Sequence, residues 1–323
     1  MFKRKLLKQS KIKRIILKLL NVYAYDRETL NNVNPINKNN QKNFIKFNDK
    51  SFFFSRGYLD LKRKIKKLDI FFRYSPNNKL WNASKNTERI VQNIDKRTLI
   101  SVSLLSLKKS IESMLLNLNI DVCIHLVGDN SDKKFDDQIS NLLTHDKISI
   151  EKKVSKIKGN RGSYLECCDQ AENSDDIILF IEDDYLFEKH SIEEMLVAYS
   201  RISSLLEKDI LICPSDYPFY YDALYPTSLF IGKNYRWRYV GETLLTIMFS
   251  KEIFEKNKKN IRLVGEQVND PFEKPLHEIY KKNYCIAPVG SLAYHISRHV
   301  PDIDDDWQEL WNKIYKKYLD LNL

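Results

Sequence analysis

The sequence predicts an α/β fold, a mostly parallel central sheet with helices on both faces. From about residue 66, runs of strand length alternate with amphipathic helical stretches, the order of parallel strands joined by crossover helices. One run, Asp176–Ile181 (DIILFI), is short and almost wholly apolar, the character of a central strand buried on both sides. The strand candidates end in Ser75, Asp129 and Glu182-Asp183-Asp184. Ligands of open sheets bind outside the carboxyl ends of the strands, so these polar ends mark one crevice.

In order along the chain, residues 4–24 read as a basic amphipathic helix, with Leu6, Leu7, Ile12, Ile15, Ile16 and Leu19 roughly at helical spacing. Residues 26–50 are rich in Asn and Lys without periodicity and read as a linker, so 1–65 form an N-terminal extension. The main domain is expected over 66–300. It starts with a strand at Asp69–Tyr74 that ends in a Ser-Pro-Asn-Asn turn. A helix over Lys96–Leu118 follows, with Leu104, Leu107, Ile111, Met114 and Leu115 as its apolar stripe. Next come a strand at Asp121–Val127, a helix at Lys133–Leu143 and a strand at Lys147–Lys152. A turn at 159–163 (GNRGS) opens a helix to Ala171. After DIILFI a helix spans Ser191–Leu206 and an apolar run covers Leu211–Cys213. Tyr217–Tyr225 is dense in aromatics and prolines. Ser228–Phe249 reads as a strand pair turning at 232–234, an acceptor-side elaboration. A helix at Pro271–Lys282 and a strand near Cys285–Pro288 complete the domain, and a helix at Trp307–Tyr318 closes the chain within 301–323.

Composition narrows the function classes. The net charge of +10 is a tail property: residues 1–25 hold eight Lys or Arg and no acid, leaving 10 − 8 = +2 for the rest. That distribution argues against a nucleic-acid reader, which needs a basic groove with interleaved aromatics. It suits instead a peripheral contact with an anionic membrane surface, or a helix with a solvated basic face. No apolar run reaches the roughly 18 residues of a membrane span. Lys13, Arg14 and Lys18 interrupt any secretory apolar core, and the expectation is a cytoplasmic protein, peripheral on the membrane face at most. Cys123, Cys167, Cys168, Cys213 and Cys285 show no C-x-x-C spacing and read as buried, reduced thiols.

Three consecutive carboxylates at the end of a buried strand repel one another, and burying one unpaired charge costs several kcal/mol. A hard divalent cation, Mg2+ or Mn2+, relieves this. In extended chain Glu182 and Asp184 point one way and Asp183 the other. Glu182 and Asp184 are therefore the metal candidates, and Asp183 is left to approach a ribose or sugar. The plainer alternative is a solvated acidic turn capping the next helix.

The run DIILFIEDDYLF, preceded by GNRGSYLECCDQA, resembles the metal-binding region of GT-A fold glycosyltransferases of the family-2 kind. IFFRYSP and VCIHLVGDNSD match the first two strands of that Rossmann-like fold in order and character, and the resemblance covers roughly residues 68–300. Glu182 departs from the usual first Asp of the D-x-D motif. The resemblance implies a metal-dependent enzyme of hexosyltransferase type, moving a sugar from a nucleotide-sugar donor to an acceptor hydroxyl on a glycan, lipid-linked glycan or protein. It places Arg73 or Ser75 near the base and ribose, Asp129 at the nucleobase, and Asn160, Gly162 and Ser163 along the nucleotide. It also implies that His295 joins Glu182 and Asp184 on the metal, while Arg298 suits a clamp on the diphosphate.

An inverting transfer needs a carboxylate base for the acceptor hydroxyl. Asp270, before Pro271, fits that place or an ordinary helix cap, and Glu266 is the second candidate. In RWRYVGETLL, Arg236, Trp237, Arg238 and Glu242 suit either an acceptor sugar or a plain alternating strand, and Asp216 is a further acid. Two other readings compete. A sugar-phosphate nucleotidyltransferase would want a Gly-rich loop after the first strand, where Ser75-Pro76-Asn77-Asn78 stands. A non-catalytic nucleotide-sugar-binding or scaffold protein would use the same fold without chemistry.

Overall fold

A computed structural model describes residues 45–47, 50–52, 61–78, 94–221, 228–296 and 306–321. The expected basic helix at 4–24 and Arg298 lie outside them. A short hairpin, β1 (Ile45–Phe47) with β2 (Lys50–Phe52), falls within the stretch expected to be a linker.

The centre is a nine-stranded sheet. Its first half contains β3 (Lys67–Tyr74), β4 (Asp121–Gly128), β5 (Ile148–Val154) and β6 (Ile177–Glu182) in the order β5-β4-β3-β6, all parallel. The second half adds β8 (Leu211–Ile212), β9 (Leu229–Ile231), β10 (Arg236–Val240), β11 (Ile247–Ser250) and β12 (Cys285–Val289), in the order β11-β8-β12-β10-β9. Following the pairings across, only β10 and β11 run against the other seven, so the sheet is mostly parallel as expected. A separate antiparallel pair, β7 (Tyr185–Phe187) with β13 (Ala293–His295), sits just past the end of β6.

The two sides of β3 show why its sequence is mostly apolar. Leu68, Ile70, Phe72 and Tyr74 join one core with α1 (Lys96–Leu115), α2 (Lys133–Leu143), α4 (Ser191–Leu206) and α7 (Asp306–Asp320). Phe71 joins the other core, with α3 (Asn160–Ala171), α5 (Lys251–Glu266) and α6 (Lys274–Tyr280). Successive strand residues alternate faces, so a sheet covered on both sides favours apolar residues on each, with the buried Asp69 and Arg73 as exceptions that need partners. Asp95, Asp132 and Ser250 cap α1, α2 and α5 by accepting from the backbone N–H of Thr98, Phe135 and Ile253. Among the described residues, no helix is long and apolar enough to cross a membrane.

Three elements differ from expectation. α5 was not anticipated, although Ile253, Phe254, Ile261 and Val264 bury one face of it. Ser228–Phe249 holds three strands rather than two, and β11 leaves the β9–β10 hairpin to insert between β6 and β8. The helix expected from Pro271 starts at Lys274, because Asp270–Glu273 make turns and Pro275 occupies the first turn, where a missing N–H costs nothing.

Candidate active site

The site is built at the carboxyl edge of β3 and β6. Their parallel register sets Arg73 beside Glu182, and Arg73 Nη2 donates to Glu182 Oε1 at 2.5 Å. The guanidinium is buried, lies over the Tyr164 ring at 5.9 Å, and also donates through Nη1 to the backbone and side-chain oxygens of Asn160. Arg73 and Asn160 are thus brought together as the first turn of α3 abuts β3. Burial opposes the guanidinium charge, and Glu182 most of all sustains it.

The acidic triplet divides where β6 ends, with Asp183 and Asp184 in the turn into β7. Asp183 is buried: Oδ1 accepts from Lys96 Nζ at 2.6 Å and Oδ2 from the Ser75 N–H at 2.9 Å. Both its oxygens are used in tying β6 to α1 and to the loop after β3. Glu182 and Asp184 are each about one fifth exposed, at 21% and 17%. His295 Nε2 stands 3.1 Å from Asp184 Oδ2, and its ring packs on Tyr185 at 4.8 Å. The β7–β13 pair makes this meeting: His295 is in register with Tyr185, and the Ile296 N–H donates to the Asp184 carbonyl.

A fourth group, Glu273, lies in the turn before α6, near enough to feel the charges of Glu182, Arg73 and His295. Burial first, then the Glu182 charge, pushes its carboxyl up to about 7. Glu182 is raised as well: burial is the main cause, Arg73 opposes it, and Asp184 adds to it. For His295, burial opposes the charged imidazole but Asp184, Glu182 and Glu273 outweigh it, so the ring holds its proton above its ordinary range. Three carboxyl groups and an imidazole therefore share a recess that already resists negative charge.

Oxygen and imidazole donors of this kind fit Mn2+ or Mg2+, and a cation would relieve the crowding that raises Glu182 and Glu273. As the side chains stand, Glu182 turns to Arg73 and Asp184 to His295. Among the described residues only Asp69, Cys123 and His125 have ligand atoms all within 4.8 Å of one another. Closing Glu182, Asp184 and His295 on one ion therefore takes side-chain rotation.

The nucleotide-side residues fall nearby. Asp129 is buried, and its Oδ2 accepts from the Gly159 N–H at 3.0 Å and more distantly from Ser75 and Asn78. Its Oδ1 is buried with no partner. Gly162 serves the chain itself: a Cβ there would lie 1.9 Å from the Ile157 carbonyl oxygen, so glycine is required by self-packing of the turn rather than by ligand approach. Ser163 Oγ donates back to the carbonyls of Gly159 and Asn160, satisfying the hydroxyl within its own helix turn.

The expected base candidates are both exposed. Glu266 is exposed at the end of α5, with its carboxylate taken by Arg262 at 3.0 Å. Asp270 is exposed and caps no helix, since α6 begins at Lys274 with Glu273 before it. Glu273, three residues on from Asp270, directly precedes α6 because the helix starts at Lys274 rather than at the expected Pro271. Sequence reasoning missed Lys96. Nothing local marks it, and only the fold of α1 over β6 brings it to Asp183. On the far side, Asp216 is fully buried under Arg238, which donates to both its oxygens at 2.8 and 3.0 Å, while Tyr221 donates to Oδ2 at 2.6 Å. Trp237 is core, and Arg236 is exposed.

No family model matches the chain, and no curated protein is similar to it in sequence. Among solved structures it is similar to the glycosyltransferase GlyE of Streptococcus pneumoniae TIGR4, at 12% identity over 80% of this chain and 64% of that one, with a TM-score of 0.44. It is also similar to a putative nucleotide-diphospho-sugar transferase from Desulfovibrio desulfuricans G20, at 9% identity, 69% and 80% coverage and a TM-score of 0.39. A third is 4-diphosphocytidyl-2C-methyl-D-erythritol synthase from Anaerococcus prevotii DSM 20548, at 15% identity, 79% and 99% coverage and a TM-score of 0.40. Function has to be read from the side chains of the site.

Proposed function

We propose that this chain is a metal-dependent glycosyltransferase, moving a sugar from a nucleotide-sugar donor to an acceptor hydroxyl. The observation that carries the reading is the convergence of Glu182, Asp184, His295 and Glu273 on one recess at the carboxyl edge of the central strand, with Arg73 beside it. Glu182, Asp184 and His295 would hold Mn2+ or Mg2+, which when bound supplies Lewis-acid neutralisation of a departing diphosphate.

The chain's own residues supply the rest. Asp129 would accept a hydrogen bond from a nucleobase N–H, a role supported by Oδ1 having no partner of its own. Asn160, Gly162 and Ser163 shape the turn beside it, and Arg298 remains the candidate clamp on the diphosphate. Arg73 fixes Glu182 and keeps the recess from carrying too much negative charge. Asp183 and Lys96 hold the loop after β3, and so position the donor rather than touch it. Glu273 is better suited to deprotonate the acceptor than Asp270 or Glu266, because it lies near Glu182 and its carboxyl ionises near neutral pH. The acceptor class, whether glycan, lipid-linked or protein, belongs to the same proposal. So do the cytoplasmic setting and a membrane contact through the eight basic residues of the N-terminus.

Nucleotidyl transfer is less well supported. The loop after β3 has no glycine, and its Ser75 N–H, which would face a triphosphate in such an enzyme, already donates to Asp183. Titration calorimetry with a panel of nucleoside diphosphates, with and without Mn2+, tests the proposal. Asp184→Ala is expected to weaken metal-dependent binding by about 100-fold or more while thermal unfolding stays cooperative. Equal affinity in the variant, or binding indifferent to Mn2+, would overturn the reading.

A further inference from the structure

Away from the recess, Asp69, Cys123 and His125 form a second cluster with the makings of a ligand site. Asp69 and Cys123 face one another in the parallel register of β3 and β4, and His125 lies two residues beyond Cys123, so all three project from one face of the sheet. One ligand atom from each lies within 4.8 Å of the others. All three are buried, Asp69 to within 2% of complete.

The cluster is incompletely satisfied. Asp69 Oδ2 and His125 Nδ1 are buried with no partner in good hydrogen-bond geometry, and the neighbouring Ser174 hydroxyl lies close enough to Asp69 to favour its charge. The contact between His125 Nε2 and Asp69 Oδ1 is long, at 3.4 Å. Glu151 Oε2 is also 3.4 Å from His125 Nδ1, within ion-pair range but too poorly aligned to bond. Phe71 stacks on the imidazole at 4.4 Å and fixes its plane. One cation faces the site: Lys67 Nζ is 3.5 Å from Asp69 Oδ1, but it is a third exposed and has Asp175 at 3.0 Å as its other partner.

We propose that Asp69, Cys123 and His125 bind a zinc-class divalent ion that clamps β3 to β4. A carboxylate, a thiolate and an imidazole make a borderline-soft set, which selects Zn2+ over the Mg2+ or Mn2+ suited to the oxygen-rich recess. Ser174 or a water completes the tetrahedron, and Glu151 orients the imidazole from outside. Asp69 is four residues from Arg73 along β3, about 13 Å at strand rise, so the ion serves structure rather than chemistry at the donor site. The proposal stands independently of the glycosyltransferase reading.

The test uses the full chain, stripped with chelator and then loaded with Zn2+ or Co2+. One Zn2+ per chain is expected to be retained through desalting. Co2+ is expected to give a cysteinate-to-cobalt charge-transfer band in the near ultraviolet. Cys123→Ser, almost isosteric, should remove the band and weaken Zn2+ binding by about 100-fold, with circular dichroism as the control for folding. Asp184→Ala should retain both the zinc and the band. If Cys123→Ser does not fold, zinc-dependent protection of Cys123 from alkylation, read by mass spectrometry, decides in its place. Absence of a sulfur-to-cobalt band in the native chain, its survival in a folded Cys123→Ser, or alkylation of Cys123 indifferent to Zn2+ overturns the proposal.

Discussion

Asp183 has both oxygens committed, one to the Lys96 ammonium and one to the Ser75 amide, and all three groups are largely shielded from water. Replacing Lys96 with Met leaves the carboxylate without its cation, a loss of about 3 kcal/mol, to be read from the urea midpoint. Combining Lys96→Met with Asp183→Asn should recover most of that loss, because neither buried charge then remains. A small effect of the single change would mean that the pair is solvated rather than buried. Glu273 makes a different demand. If it accepts the acceptor's proton, Glu273→Gln lowers kcat by about 100-fold or more and leaves nucleoside diphosphate affinity with Mn2+ nearly unchanged. A parallel fall in both would reveal a binding or structural part instead.

At the scale of elements, the turn from Ile157 into α3 positions the nucleotide side. Gly159 adopts φ 92°, a left-handed conformation that glycine alone takes freely, and from there its N–H reaches Asp129. Gly162→Ala would drive a Cβ to 1.9 Å from the Ile157 carbonyl, a backbone atom that cannot step aside alone. The expected cost is about 1–3 kcal/mol in thermal stability, accompanied by weaker nucleotide affinity, because the displaced turn carries Asn160. An unchanged melting temperature would show that the turn relaxes without strain. α5 teaches the converse lesson about legibility. Ile253, Phe254, Ile261 and Val264 mark one helical face, but they sit among Lys and Asn, the residues whose runs carry least structural signal in this composition. The apolar pattern was present in the sequence, and the polar background concealed it.

For the molecule as a whole, the recess couples stability to pH. Glu273 holds its proton to about 7 in the folded chain against an ordinary 4.5. Between those values the folded state binds more protons than the unfolded one, so this carboxyl's contribution is full below about 4.5 and declines as pH rises to about 7. Glu273→Gln should flatten the pH dependence of the melting temperature in that window. Saturating Mn2+ should shift the decline to lower pH, since a cation beside Glu182 favours the ionised carboxyl. No Mn2+ effect on the profile would count against metal binding at this edge.

The sequence by itself determined the order of strands and helices in the parallel half, and the position of the acidic triplet at the end of the buried strand. Those are local properties: periodicity selects the element, and the end of the apolar run marks where the acids begin. Tertiary structure alone decided which partners meet them. His295 reaches Asp184 through a strand pair more than a hundred residues apart in the chain, Lys96 reaches Asp183 from the start of α1, and Glu273 rather than Asp270 directly precedes α6 because of where that helix begins. Such meetings depend on how separate elements pack, and packing is a property of the assembled surfaces, which no single stretch of residues encodes.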